Sequence, residues 1–130
     1  MLSWLEKNRV VSSIISVIIA GVIFYFSSIS NDPVPSIGFK YKAVLYHIGI
    51  FFLFCFFLMI ALSKGRKKDW LFFAVLFSVF YGITDELHQH FVPGRSVSMG
   101  DFFIDVLGIS FAFVLYFISI ELRNGKKIVF

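Results

Sequence analysis

Charged side chains are scarce in this sequence. Asp, Glu, Lys and Arg make up 15% of the 130 residues, whereas 58% are hydrophobic and 20% aromatic. A soluble domain has about 25% charged residues, and one small soluble core cannot bury nineteen phenylalanines. Segments of about 20 apolar residues are long enough to cross a bilayer as helices. The scarcity of charge therefore excludes an ordinary soluble globule and indicates a membrane protein.

Cysteine and compact catalytic motifs are also lacking. The single cysteine, Cys55, lies in the apolar run FFLFCFFLMI and has no partner for an intrachain disulfide, so we expect a small buried packing residue. There is no His-Glu-x-x-His pair, no glycine-rich phosphate loop and no Ser-His-Asp signature. The net charge of +4 does not indicate nucleic-acid binding, because the cations lie between apolar segments and form no stripe.

The sequence does contain four long apolar segments separated by helix breakers. Helices are expected at about 10–29, 43–62, 70–89 and 99–120. Two prolines in SNDPVPSIG separate the first two segments, and the Pro-Gly pair in VPGRS predicts a turn. Ser98 and Asp101 have the spacing of a capping box. Because the connections are short, neighbouring helices should be antiparallel, and residues 1–130 should form one all-α domain, an integral membrane four-helix bundle.

Lysine and arginine are distributed unequally between the two predicted sides of this bundle. Nine lie in the N-terminal segment, in loop 63–69 and in the C-terminal tail, against three in loops 30–42 and 90–98. Short cytoplasmic loops carry an excess of these residues. We therefore expect both termini in the cytoplasm and the other two loops on the outer side.

This topology places the ionisable residues of the spans in one layer near the outer surface. Helix three ends there, helix four begins there, and a histidine lies one turn into helix two. The candidate site residues are His47, Asp85, Glu86, Gln89, Arg95, Asp101 and Asp105. A charged carboxylate at mid-bilayer costs about 2.5–3.5 kcal/mol, so we expect pairing with Arg95, access to water or a bound cation.

Helical spacing predicts how these residues face one another. One face of helix three carries small residues that give way to polar ones: Ala74, Ser78, Gly82, Asp85 and Gln89. A matching stripe on helix four contains Asp101, Asp105, Gly108 and Ala112. Small residues let membrane helices approach closely. The two stripes therefore predict a bundle that is tight on the cytoplasmic side and opens outward into a polar, acidic pocket.

Simpler interpretations remain open for several of these residues. Asp101 could cap helix four, and His47 could be a hydrogen-bonded packing residue. Arg95 could be a loop cation, although its guanidinium also suits phosphate or carboxylate. Carboxylates and histidine at helical spacing could hold a divalent metal, but no compact motif marks such a site, so metal and cofactor are left unknown.

The segment YGITDELHQHFVPGRSVSMGDFFIDVLG, residues 81–108, resembles the signature of the VanZ-like family of small bacterial membrane proteins. Its pattern is an Asp-Glu-x-x-Gln, then Pro-Gly-Arg, then Asp-x-x-x-Asn-x-x-Gly. The matching residues are Asp85, Glu86, Gln89, Pro93, Gly94, Arg95, Asp101 and Gly108. Asp105 occupies the usual Asn position and adds a charge. His47 matches a family histidine, but Val44 and Ile50 replace the Lys and Glu that often flank it.

The resemblance implies a multi-pass protein of the bacterial plasma membrane that lowers sensitivity to glycopeptide antibiotics such as teicoplanin. Its outward pocket would engage a membrane lipid or a lipid-linked cell-wall precursor. The alternative is a membrane-embedded hydrolase or transferase that uses the outer carboxylates, with or without a metal, so whether the protein is an enzyme stays open. A proton-coupled transporter is weaker, because helix one lacks an intramembrane acid. A purely structural bundle would not need the polar layer.

Overall fold

The computed structural model describes residues 1–30, 37–63, 68–95 and 99–125. Every regular element within these ranges is a helix. The helices are α1 (Leu2–Lys7), α2 (Arg9–Ser27), α3 (Ile37–Ser63), α4 (Lys68–His90) and α5 (Met99–Gly125). Helices α2 to α5 are long and apolar enough to cross a membrane. The prediction of an all-α bundle with four potential spans is therefore confirmed.

The boundaries differ most from the predicted ones at three places, one of which is the end of α5, at Gly125 instead of about residue 120. A short helix, α1, precedes the first span and is separated from it by Asn8, whose side-chain amide donates to the Trp4 carbonyl at the end of α1. Helix α3 begins at Ile37, six residues before the predicted start, because the residues after SNDPVPS contain no further proline and continue the helix. The predicted capping residue Ser98 lies outside the described residues.

Contacts between the helix ends show the directions of the spans. The Phe26 ring near the end of α2 lies 5.7 Å from the Tyr46 ring in the first half of α3, so these two consecutive spans run in opposite directions, and two further contacts pair the alternate spans. Arg95, just after α4, contacts Ile29, just after α2. His47 near the start of α3 contacts Asp105 near the start of α5. We call the end of the bundle where these contacts lie the His47 end, and the opposite end the Glu6 end.

The core is formed mainly where α3 packs along α5, with α2 and α4 on the flanks. Its fully buried members include Phe51, Met59 and Ile60 on α3 and Ile109 on α5. Cys55 is also fully buried, as its apolar surroundings predicted. Many large apolar side chains on the outer helix faces remain exposed, Phe72, Phe77 and Phe111 among them. Such faces suit contact with lipid chains and not with water.

Gly108 sets the distance between α3 and α5. A Cβ atom at this position would lie 3.2 Å from the Ile48 Cα and closer still to the Ile48 carbonyl oxygen. The missing side chain therefore allows α5 to lie directly against the α3 backbone, as small residues do in membrane bundles. Ile48 follows His47 and Gly108 is one turn from Asp105, so this close approach also positions the polar residues of the His47 end.

Candidate functional site

A buried hydrogen bond joins α3 to α5 at the His47 end. The Nδ1–H of His47 donates to Oδ1 of Asp105 at 2.8 Å. The Asp105 side chain is fully buried and that of His47 is 10% exposed. The sequence suggested both residues separately, and the structure brings them together. The second carboxylate oxygen of Asp105, Oδ2, is buried and has no hydrogen-bond partner among the described residues.

Asp85 and Gln89 complete the buried part of this site from α4. Gln89 Nε2 donates to Asp85 Oδ2 at 2.9 Å, an i, i+4 pair on one helix face. The structure buries all five members of the predicted α4 stripe. Asp85 lies within electrostatic range of both His47 and Asp105. We call His47, Asp85, Gln89 and Asp105 the His47 cluster.

Asp101 and Glu86 lie beside this cluster in different ways. Asp101 is half-buried in the first turn of α5, where a carboxylate complements the helix dipole. It also lies within electrostatic range of His47 and Asp105, so its position in the first turn of α5 is also a position beside the site. Glu86 is buried although it lies off the α4 stripe.

Pairing of a carboxylate with Arg95 was one of three expected alternatives, and among the described residues the hydrogen bonds of Arg95 go to backbone carbonyls instead. Its Nη2 donates to the Phe26 carbonyl at 2.6 Å and its Nε to the Ile29 carbonyl at 3.2 Å. These carbonyls belong to the last turn of α2 and the residues after it, which lack intrahelical donors. Arg95 therefore caps α2, which a cation does favourably at a helix C-terminus. Neutral carbonyls do not cancel its charge, so the guanidinium still makes this end of the bundle more positive.

The loop that carries Arg95 turns at Gly94. This glycine has a φ of 80°, which other residues rarely adopt, so the turn predicted from the Pro-Gly pair depends on it. Next to the loop, His88 Nε2 lies 2.9 Å from the Ser28 hydroxyl, and its ring stacks on Phe24 at 4.6 Å. His88 is half-buried, and through these two contacts it connects α4 to the end of α2.

A second polar group, partly buried and at the Glu6 end, was not predicted from the sequence. Arg123 Nη1 and Nη2 donate to the two Glu6 carboxylate oxygens at 2.6 and 2.7 Å, and the Tyr116 hydroxyl donates to Glu6 at 2.9 Å. The Ser63 hydroxyl lies 3.1 Å from the Tyr116 oxygen. We call Glu6, Ser63, Tyr116 and Arg123 the Glu6 cluster. It joins α1, α3 and α5.

The environment of Glu6 favours its ionised form. Burial by itself raises the pKa of this carboxyl, but the hydrogen bonds from Arg123 and Tyr116 and the charge of Arg123 together hold its pKa below the ordinary value of 4.5. No local sequence pattern could have revealed this pair, because Glu6 and Arg123 are 117 residues apart.

Two further observations concern where a metal or another ligand could bind. Within the residues that the structure describes, no three His, Cys, Asp or Glu side chains come together as metal ligands. A groove of about 660 Å³ opens between α3 and α4, away from the His47 cluster. It is lined by Leu58, Leu62, Phe73, Leu76, Phe77 and Phe80. The groove is apolar throughout and carries no titratable group.

Comparison with known proteins identifies one family. A family model described as VanZ/LLP1 matches residues 6–120, which is most of the chain. Searches of curated proteins and of solved structures gave no significant match. Together with the four apolar helices, the family match makes the chain a multi-pass membrane protein.

Proposed function

Because the chain belongs to the VanZ/LLP1 family, we propose that it acts in the bacterial cell envelope and lowers sensitivity to teicoplanin-type glycopeptides. In this proposal the protein lies in the plasma membrane with the His47 end facing outward. There the His47 cluster engages the polar part of a membrane lipid or of a lipid-linked cell-wall precursor. Arg95 attracts the phosphate of such a molecule toward the same end.

One observation carries the proposal. Polar side chains from three helices, His47, Asp85 and Asp105, converge inside the bundle at one end. Burying carboxylates in a membrane protein costs free energy, and the packing of four apolar helices does not require it. The position of the cluster near the ends of the spans is where lipid headgroups lie. If the His47 cluster binds a polar headgroup, this explains both why the protein bears the free-energy cost of the buried carboxylates and why they lie near the ends of the spans.

The test is teicoplanin susceptibility in a sensitive Gram-positive host that expresses the chain. We expect protection by the parent, and a return to the susceptibility of the empty host for Asp85→Asn and Asp105→Asn at matched membrane abundance. Glu6→Gln is the control, because it removes a partly buried carboxylate at the opposite end, and it should keep its protection. Protection that persists without both Asp85 and Asp105 would contradict a role for the His47 cluster.

A second function is favoured by the His47–Asp105 hydrogen bond. A carboxylate bonded to imidazole Nδ1 fixes the ring and leaves Nε2 as the base, which is the arrangement used in hydrolases to activate a nucleophile. A membrane-embedded hydrolase or transferase would use His47 in this way on a lipid substrate. The purified chain, incubated with bacterial lipid extract, should then form a product that mass spectrometry detects and that His47→Gln does not form. If no new product forms, the enzyme hypothesis is contradicted and only the binding role is left.

A further inference from the structure

The apolar groove between α3 and α4 lies on the outer surface of the bundle. Two leucines near the end of α3, Leu58 and Leu62, form one wall. The other wall consists of four α4 side chains that are each more than half exposed: Phe73, Leu76, Phe77 and Phe80. Both helices are long and apolar enough to span the membrane. In a bilayer the groove therefore opens toward hydrocarbon, where an acyl chain or an apolar helix can fill it.

The size and lining of the groove favour a lipid chain over a second helix. From Phe73 to Phe80 the groove follows α4 for about 10 Å at 1.5 Å per residue, and its volume of about 660 Å³ is typical of a site for a small molecule. A helix with its side chains is about 10 Å wide. Helices that associate in membranes meet at small residues, whereas the six lining residues are all Leu or Phe. A flexible chain can follow these large side chains more closely than a helix backbone can.

One end of the groove reaches the membrane interface at the Glu6 end of the bundle. The Trp70 ring lies 5.7 Å from the ring of Phe73, which lines the groove. Trp70 is 44% exposed in the first turn of α4, and tryptophan is typical of the level of the lipid headgroups. A lipid at this position can keep its headgroup beside Trp70 and place one acyl chain in the groove.

The charge at this end of the groove favours an anionic headgroup. Residues 64–69 contain four cations and one acid, a net charge of +3. This 64–69 segment follows the last residue of α3 and leads into the first turn of α4, so its charge belongs to the end of the groove where Trp70 lies. Lysine and arginine next to a span attract anionic lipids.

We propose that the α3–α4 groove binds one acyl chain of an anionic phospholipid from the leaflet at the Glu6 end, with the phosphate of this lipid attracted by the 64–69 segment. In the orientation predicted from the sequence, this is the cytoplasmic leaflet. The inference goes beyond the proposed function and does not depend on it, because the His47 cluster lies at the opposite end and the groove can be tested in the purified protein.

Fluorescence quenching by brominated lipids tests the site in the full-length chain, purified and reconstituted into phospholipid vesicles. The two native tryptophans, Trp4 and Trp70, are replaced by Phe, and Phe77→Trp places one reporter in the groove. The control is Phe111→Trp on α5, because Phe111 is exposed to a similar extent, 59% against 54%, and does not line the groove. Each reporter is measured with brominated phosphatidylglycerol and with brominated phosphatidylcholine in mixtures with the other, unbrominated lipid. The quenching gives the ratio of the two affinities at that surface.

We expect phosphatidylglycerol to bind about fivefold more tightly than phosphatidylcholine at the groove reporter, the factor that one lysine or arginine contributes near a membrane surface. The ratio at Phe111→Trp should be closer to one. The described cation at the Glu6 end of α5 is Arg123, whose charge is already paired with that of Glu6.

Equal ratios at the two reporters would overturn the proposal, since the groove would then be ordinary lipid-facing surface. A preference for phosphatidylcholine in the groove would also overturn it. So would a groove reporter that neither brominated lipid quenches, because another protein span would then cover the groove. If Phe77→Trp does not fold, Phe80→Trp is the second groove reporter, at a position that is 61% exposed, and the same outcomes decide.

Discussion

At one end of the bundle, the Glu6 carboxylate accepts hydrogen bonds from three donors. At the other end, Asp105 accepts one from His47, and its second oxygen is buried with no partner among the residues that the structure describes. The Glu6 cluster balances one negative charge with one positive charge in a bidentate pair. The His47 cluster gathers two carboxylates around a single imidazole. The first arrangement holds helices together. The second leaves a carboxylate oxygen that can still interact with a bound molecule or ion.

The two ends of the bundle also differ in the contacts that join their helices. At the Glu6 end, long side chains reach across between helices. At the His47 end, the helix backbones themselves approach, because Gly108 lies on Ile48. Substitutions in the Glu6 cluster should therefore affect stability more than function, and substitutions in the His47 cluster should affect function more than stability.

The largest effect on stability is expected for Gly108→Ala. Its new Cβ would collide with the Ile48 backbone, which cannot move as a flexible side chain can, so the substitution should lower the free energy of unfolding by about 2–3 kcal/mol. Gly49→Ala is the matched control, because its Cβ would meet nothing within 4 Å and should be neutral or stabilising by up to about 1 kcal/mol. Unfolding in mixed micelles measures both. Equal stability of the two variants would show that α3 and α5 do not need this close contact.

A smaller loss is expected for Glu6→Gln. The amide keeps the size of the side chain but removes the charge that two guanidinium nitrogens of Arg123 contact. Hydrogen bonds to charged groups contribute about 1.5–3 kcal/mol, and Arg123 is 37% exposed, so water screens part of this. The expected loss is about 1–2 kcal/mol in the same unfolding assay. Lys7→Gln, on the adjacent exposed residue, should change stability much less.

The Glu6 contribution should also depend on pH. The folded protein holds the pKa of Glu6 below 4.5, so the unfolded chain takes up the proton first as pH falls. The contribution is therefore complete well above pH 4.5 and decreases as pH falls through the lower, folded pKa. The stability difference between parent and Glu6→Gln, measured from pH 7 down to about pH 3, should shrink toward the acidic limit. A difference that grows on acidification would contradict the pairing.

Tyr116→Phe should lower the free energy of unfolding by about 1 kcal/mol, because it removes the hydrogen bond to Glu6 and leaves the ring in place. Tyr41→Phe, whose side chain is exposed, is the control for loss of a hydroxyl. If both variants are equally stable, the Tyr116 hydroxyl adds nothing to the Glu6 cluster.

The smallest effect on stability is expected for Asp105→Asn, in spite of complete burial. The amide oxygen can still accept from His47, and the loss of one of two neighbouring carboxylates relieves repulsion, so the change should be within about 1 kcal/mol in the same unfolding assay. The same substitution should remove the proposed antibiotic protection. A loss of stability greater than that of Glu6→Gln would show that Asp105 is mainly a structural residue.

Composition and helical periodicity were sufficient to predict the spans, and the stripe spacing was sufficient to predict which face of α4 is buried. Both follow from local rules, since lipid requires continuous apolar helices and packing requires small residues on one face. The sequence could not show which partners the polar residues choose. Pairing with a carboxylate was one alternative for Arg95, and its described hydrogen bonds go to carbonyls at the end of α2, because carbonyls in a helix end compete for the same guanidinium.

Helix α1 and the Glu6 cluster were missed for a related reason. Six residues are too few to show a helical period, and Glu6 and Arg123 are brought together by the folding of the whole chain. Arg123 had been counted as one of the cations that set the topology, a role that says nothing about its hydrogen bonds.

The capping of α2 by Arg95 has a consequence for biosynthesis. The acceptors are at positions 26 and 29, and the donor follows them by 69 and 66 residues. A chain made from its N-terminus therefore completes the first span long before the residue that closes its end exists. Until Arg95 has been synthesised, the Phe26 carbonyl has the long bond of 3.4 Å from the Ile29 N–H, and water or another protein takes the place of the two contacts from Arg95. The end of the first span therefore gains its hydrogen bonds from Arg95 only after the third span has been made. A ribosome that stalls between the two would leave this helix end without its cap and exposed to quality control.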